Sequence, residues 1–160
     1  MSVSDFKPVF AEIVKEVRQQ DIRRMQELLL EAFEDSNTDV YPDRLSVTLG
    51  QVVESPSADW IVSRNQVGEV VSTLFVNSIA QAIGPTVRID DVATDKRYRR
   101  RGHAAATVAK AIEWADEREA ELISLGSEEQ MLPAHALYNS MGFQTNTNLS
   151  FVRFSDKSRV

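Results

Sequence analysis

The run Lys96-Arg97-Tyr98-Arg99-Arg100-Arg101 places five cationic side chains in six positions, and Gly102 follows at once. Guanidinium groups at that density bind anions through charge-assisted hydrogen bonds. The run follows a strand-like stretch, 87–95, and precedes an apolar stripe of helical period that starts at Ala104. The free backbone N–H groups of that helix's first turn therefore point at the same place as the arginines. Gly102 lacks a β-carbon and allows close backbone approach, and Ala104 is small for the same reason. A compact polyanion such as a pyrophosphate suits this arrangement.

The positive charge is local. The chain of 160 residues carries a formal net charge of −6, and without those five side chains the remainder stands at −11. A nucleic-acid surface calls for a broad basic face with interleaved aromatics, and only Tyr98 interrupts this run. Cysteine is absent, which excludes disulfides, thiolate metal sites and an acyl-cysteine intermediate. With His103 and His135 as the two histidines, zinc has too few ligands and no metal is expected. The opening MSVSDFKPVF has no basic segment leading into an apolar core, and no apolar run approaches the ~18 residues of a membrane span. The expectation is a cytoplasmic protein with neither a membrane nor a nucleic-acid partner.

No repeat, low-complexity tract or linker divides the chain, so residues 1–160 are expected to form a single domain. Residues 11–17 read as a short strand. Asp21 is placed to cap a helix carrying Ile22, Met25, Leu29, Ala32 and Phe33 at helical spacing. Leu45, Leu49, Val52 and Val53 predict a second helix. WIVS and EVVSTLFVN, separated by RNQVG, predict a hairpin, and Gly84-Pro85 then breaks the chain. Strand 87–95, helix 104–119 and strand 121–126 follow. Pro133 opens a short helix through Tyr138 and Met141, Gly142 ends it, and 143–154 supplies a closing strand. The fold class is α/β (α+β), with helices flanking a central mixed sheet.

Arg99-x-x-Gly102-x-Ala104 after a strand, with LYNSMGF downstream, resembles the GNAT superfamily of N-acetyltransferases. VRQQDIRRMQELLLEAF is similar to that family's opening strand and helix, so the likeness spans most of the chain. It implies a mostly antiparallel sheet and acetyl-CoA as cosubstrate. The coenzyme's pyrophosphate would sit on Arg99, Arg100, Arg101, Gly102, His103 and Ala104. Its pantetheine arm would run along Val92, Ala93 and Thr94 as an added strand, in the manner of β-augmentation. His103 itself reads as a surface residue whose positive surroundings disfavour protonation.

Forming an amide from an amine and a thioester needs a neutral nucleophile, an oxyanion site and a proton for the departing thiolate. The family's LYxxxGF pattern is matched by Leu137, Tyr138, Gly142 and Phe143, which implies that the Tyr138 phenol is the proton donor. A backbone N–H near Val92 is expected to polarise the thioester carbonyl. Asp90 and Asp91 precede that point. Strand alternation puts them on opposite faces, with Asp90 sharing the face of Val92, so Asp90 is the first candidate for the base and Asp91 a supporting group. A carboxylate near pKa 3.9 is a weak base at neutral pH and acts through water or by orienting the ammonium.

Many members of the family carry asparagine seven residues before the tyrosine, where this chain has Met131, while Ala134 and Ala104 fit the pattern. VRIDDVATDKRYRRRGHA also has a local likeness to glucosamine 6-phosphate acetyltransferases. A sugar phosphate needs a basic pocket, however, and the expected acceptor lip, 31–43, is acidic through Glu34, Asp35 and Asp39. A cationic small-molecule or peptide amine fits better. The resemblance also admits a homodimer. The competing reading from another class is a noncatalytic acyl-CoA-binding module that retains the fold without turnover.

Overall fold

A computed structural model describes residues 8–34 and 41–153. They form two compact units, Met1–Gly126 and Ser127–Val160. The first holds a five-stranded sheet whose spatial order follows the chain: β1 Ala11–Ile13, β2 Ala58–Arg64, β3 Val70–Gln81, β4 Gly84–Thr94 and β5 Leu122–Leu125. The first three pairings are antiparallel, and β4 with β5 is parallel. Helices α1 Gln19–Ala32, α2 Pro42–Glu54 and α3 His103–Asp116 complete this unit. The second unit holds α4, Leu132–Ser140. The mixed, mostly antiparallel sheet with flanking helices is the architecture the sequence predicted.

Strand alternation distributes the core. Trp60 and Val62 of β2 turn to one face, where they meet Ile22, Met25, Leu28 and Leu29 of α1 and Leu45 and Leu49 of α2. The intervening Asp59 and Ser63 turn to the other face and meet α3: Trp114 Nε1 donates to Asp59 at 2.7 Å, and Ser63 contacts His103. Met25, Leu49 and Trp60 are fully buried. Truncating Leu49 to alanine would cost about 2–5 kcal/mol, the range for a buried leucine that leaves a cavity.

Several boundaries differ from expectation for identifiable reasons. Strand β1 ends at Ile13 rather than 17, and α1 begins at Gln19 with Arg18 at its cap. Asp21 is not the cap. It lies buried in the first turn, accepting from Arg64 Nη1 at 2.8 Å and Nη2 at 3.1 Å, so its carboxylate ties α1 to β2. Gly84-Pro85 does not break the chain but opens β4, Pro85 taking the second position of the strand. Helix α3 stops at Asp116, where the chain turns towards Glu119 in a left-handed conformation (φ 53°). Helix α4 begins one residue before Pro133, and Gly142 (φ 92°) follows it as expected. The closing strand is absent between 143 and 153: that stretch has no regular structure, and Leu149, Phe151 and Val152 are exposed. Phe154 lies outside the described residues. Among the described residues no helix is long and apolar enough to cross a membrane.

Candidate active site

The basic run divides in two. Asp95 closes β4 and caps a short 3-10 turn, Lys96–Tyr98, by accepting from the Arg97 backbone N–H at 2.8 Å. The same carboxylate accepts from Arg97 Nη2 at 2.8 Å and from Arg24 Nη2 of α1 at 2.7 Å. Hydrogen bonds from Arg97, opposed by burial and helped by Arg24, hold the Asp95 carboxyl well below the usual carboxylate range. Lys96 is also engaged: its backbone N–H donates to Glu31 at 3.1 Å, and its ammonium lies 3.8 Å from Glu34. Two of the five cations are therefore engaged, Lys96 with Glu31 of α1 and Arg97 with the Asp95 carboxylate that α1 also holds, and part of the supposed acidic lip is spent on Lys96. Asp35 and Asp39 lie outside the described residues.

Arg99, Arg100 and Arg101 have no carboxylate partner among the described residues. Arg99 Nε donates to the Thr94 carbonyl at 3.3 Å, and the Arg101 guanidinium lies 5.5 Å from the Tyr98 ring centroid, within cation–π reach. Arg100 takes a left-handed backbone (φ 61°), which costs a residue with a β-carbon about 1–2 kcal/mol. Gly102 follows at φ 85° as the residue before α3, and a β-carbon there would meet no atom within 4 Å, so its role is conformational. Two left-handed residues in three positions double the chain back at the mouth of α3. The three arginines thus sit in the turn that immediately precedes the first N–H groups of α3. Strain held at such a spot is a mark of a binding site.

His103 is not a surface residue. It is 7% exposed, with Nδ1 2.9 Å from Ser63 Oγ and the Tyr98 ring edge-on at 5.9 Å. Burial, and secondarily the Arg101 charge, push its pKa down, as the positive surroundings implied. Ala104 lies in the first turn of α3, half-buried.

Strand β4 carries a bulge. Phe75 pairs with Asp90 and Thr73 with Ala93, so two steps on β3 oppose three on β4. Thr73 and Phe75 share a face; hence Asp90 shares its face with Ala93, and the expected alignment with Val92 is lost. Asp91 takes up the extra length in a left-handed conformation (φ 53°). The side chains of the pair then diverge. Asp90 accepts from Arg88 Nε at 2.8 Å. Asp91 is exposed at its surface, yet partial desolvation by the protein around it and then the neighbouring Asp90 charge raise its carboxyl above the ordinary value. Val92 and Thr94 are half-buried and Ala93 is buried, which leaves the bulged backbone at the strand's end.

In the second unit Tyr138 lies in the last turn of α4, 8% exposed, its ring meeting Phe143 edge-on at 6.0 Å. The Phe143 N–H donates to the Tyr138 carbonyl at 3.0 Å, so the Leu137-Tyr138…Gly142-Phe143 pattern is the helix end itself. Burial pushes the phenol's pKa up. Met131 precedes α4 at its N-cap. Among the described residues no cluster of three or more histidines and carboxylates could hold a metal ion.

The contacts that sequence reading missed are long-range: Arg24 with Asp95, Arg64 with Asp21, Ser63 with His103. Each joins residues at least 40 positions apart. Only the adjacent aspartates in a β-rich stretch hinted at an irregularity.

Solved structures share this fold at low identity. A transcriptional regulator from Bacillus halodurans C-125 superposes with a TM-score of 0.77 at 23% identity, covering 92% of this chain and 100% of its own. Glucosamine-6-phosphate N-acetyltransferase from Arabidopsis thaliana gives 0.72 at 16%, covering 91% and 99%. AAC(6')-Iy, in complex with the bisubstrate analog CoA-S-monomethyl-acetylneamine, gives 0.73 at 10%, covering 93% and 99%. No curated protein sequence matches closely enough to count as a relative. Residues 22–143 match the acetyltransferase (GNAT) family, a span that runs from α1 through the strained turn to Phe143. With that match covering most of the sequence, the chain belongs to the GNAT acetyltransferase family.

Proposed function

We propose that this chain moves an acetyl group from acetyl-CoA to a primary amine by direct attack in a ternary complex, as one acetyltransferase domain spanning both units. The observation that carries this reading is the turn from Arg99 to Gly102, where three guanidinium groups without a carboxylate partner among the described residues immediately precede the α3 N-terminus. The coenzyme's diphosphate is the ligand that matches it. Val92, Ala93 and Thr94, beside the bulge, are the backbone on which the pantetheine amides would pair.

In this reading the amine lone pair attacks the thioester carbonyl carbon, forming the C–N bond. The carbonyl electrons move to oxygen, stabilised by a backbone N–H near Val92. Collapse breaks the C–S bond, and the thiolate takes a proton from Tyr138, whose raised pKa keeps it protonated at neutral pH. The proton lost by nitrogen passes to a carboxylate. Asp90 was the sequence candidate, but it is held by Arg88, and Asp91 has the raised pKa a base needs. We assign the base to Asp91, with Asp90 paired to Arg88 beside it.

The structurally similar enzymes named above concern an aminosugar phosphate and an acetylneamine conjugate, and both acceptor classes are carried here as small amines. A cytoplasmic protein acting on a small-molecule or peptide amine, with neither nucleic acid nor metal, completes the proposal. Calorimetry with acetyl-CoA, followed by a thiol-release assay over a panel of aminosugars, polyamines and peptides, tests it. Binding with amine-dependent thiol release is expected. Tight binding without release for any amine would favour the noncatalytic module, and absence of binding would end the reading.

A further inference from the structure

Beneath the basic turn runs a buried row of hydroxyls. Ser63 of β2, Ser72 of β3 and Thr94 of β4 are register neighbours across three strands, on the face turned to α3. Ser72 and Thr94 share a hydrogen bond at 2.8 Å, and Thr107 of α3 approaches Ser72 at 3.5 Å. His103, the first residue of α3, lands on the remaining member, Ser63, which is fully buried. Tyr98 closes the other side of the imidazole and is itself held by the Asn65 amide at 3.1 Å and by the Arg101 guanidinium. The ring is a wedge between the sheet and the strained turn.

Apolar packing alone does not ask for a histidine here, because a buried polar ring needs a partner that leucine would not. What imidazole supplies is reversibility. Its Nδ1 can accept from Ser63 or donate to it, and the serine hydroxyl can rotate to match, so the contact survives a change of charge. Among the described residues the ring contacts Ser63 from β2 and Tyr98 from the 3-10 turn, neither of them charged. Arg101 supplies the opposing charge, and Arg97 is neutralised by Asp95. The positive end of α3 acts in the same sense as Arg101.

We propose that His103 is a positioning residue for the diphosphate turn: it locks the start of α3 to Ser63, and it takes up a proton when a diphosphate binds above it. This deepens the acetyl-CoA reading and rests on it. Burial and then the Arg101 charge keep the ring neutral, and a diphosphate seated on Arg101 and the helix mouth cancels the second of these, so binding and protonation favour one another. The coupling is reciprocal, and affinity for the diphosphate must rise as pH falls through the ring's titration.

The test uses the full chain and dephospho-coenzyme A, which carries the diphosphate but no phosphomonoester that titrates near neutrality. Calorimetry at pH 6 and pH 8, in two buffers of different ionisation enthalpy, reads affinity and proton exchange together. Wild type should bind more tightly at pH 6 than at pH 8, by a factor approaching but not exceeding the about threefold to tenfold set by a shift of half a unit to one unit in the ring, with net proton uptake. His103→Asn, which keeps a neutral partner for Ser63, should lose both the gain and the uptake. NMR of the ring protons gives a second readout that does not depend on the variant: His103 should titrate at higher pH with ligand bound, with His135 as the internal control. Binding that is independent of pH and free of proton exchange overturns the inference while sparing the coenzyme reading. No binding at either pH overturns the coenzyme reading itself.

Discussion

Single glutamine substitutions along the basic run should separate into two groups. Arg99, Arg100 and Arg101 have no carboxylate to neutralise them among the described residues, whereas Lys96 and Arg97 are engaged with Glu31, Glu34 and Asp95. A hydrogen bond from a charged donor to a phosphate contributes about 1.5–3 kcal/mol when desolvated, and this turn is exposed. A discounted figure of about 1–2 kcal/mol corresponds to roughly fivefold to thirtyfold in Kd, at 1.4 kcal/mol per factor of ten. Arg99→Gln, Arg100→Gln and Arg101→Gln should each weaken acetyl-CoA by that factor with the melting temperature little changed. Lys96→Gln and Arg97→Gln should change Kd by less than about threefold, and Arg97→Gln should instead lower the melting temperature slightly. Arg100→Gly sharpens the comparison, because it removes the charge while relieving about 1 kcal/mol of left-handed strain. That variant should melt higher and bind more weakly. The assay is calorimetry at low salt, where exposed charges are least screened, paired with thermal unfolding. If Arg97→Gln weakened binding as strongly as Arg100→Gln, the division of the run would be wrong.

Tyr138→Phe should leave acetyl-CoA affinity intact and lower kcat by about 100-fold, the low end for loss of a general acid, read by thiol release under saturation. An unchanged chemical step in single-turnover kinetics would remove the phenol from the reaction. Asp91 has a folded pKa raised above its unfolded value, so its contribution to stability is lost as pH rises through that region. Asp91→Asn should therefore raise the melting temperature at pH 7 while slowing transfer, and a variant that melts lower there would contradict the strained, crowded carboxylate. Asp95 has the opposite sign: its depressed pKa gives stability that is present above the ordinary carboxylate range and fades as pH falls below about 4. Asp95→Asn should cost about 2–3 kcal/mol, less than the loss of a fully buried pair, and lower the melting temperature by about 5–10 °C at pH 7. Equal melting of the two proteins at neutral pH would refute the clamp between α1 and the turn.

The elements were legible in the sequence wherever local pattern and burial coincide. The apolar spacing of α1 and α3 and the β-branched runs of β2 and β3 gave both type and order. The strained basic turn before α3 was legible for a related reason: charge density, a glycine and a helix start are adjacent along the chain. What escaped depends on partners far away in sequence. Asp21 looks like a helix cap until Arg64 is brought across from β2, and His103 looks exposed until Ser63 lies beneath it. The bulge defeated simple alternation, since one inserted residue moves Asp90 into line with Ala93. Residues 143–154 show the reverse failure: the stretch reads as a strand from its residue types and is irregular through 153.

Strand order that copies chain order has a kinetic side. From β1 to β4 every partner in the sheet is the next strand to be synthesised, and the hairpins joining β2, β3 and β4 close over short distances. Strand β2 waits for the excursion through α1 and α2, and β5 waits for the one through α3. The same docking event that returns the polypeptide alongside β4 brings His103 down onto the hydroxyl row. A nascent chain halted before α3 would already own its meander and yet have no grip on a diphosphate.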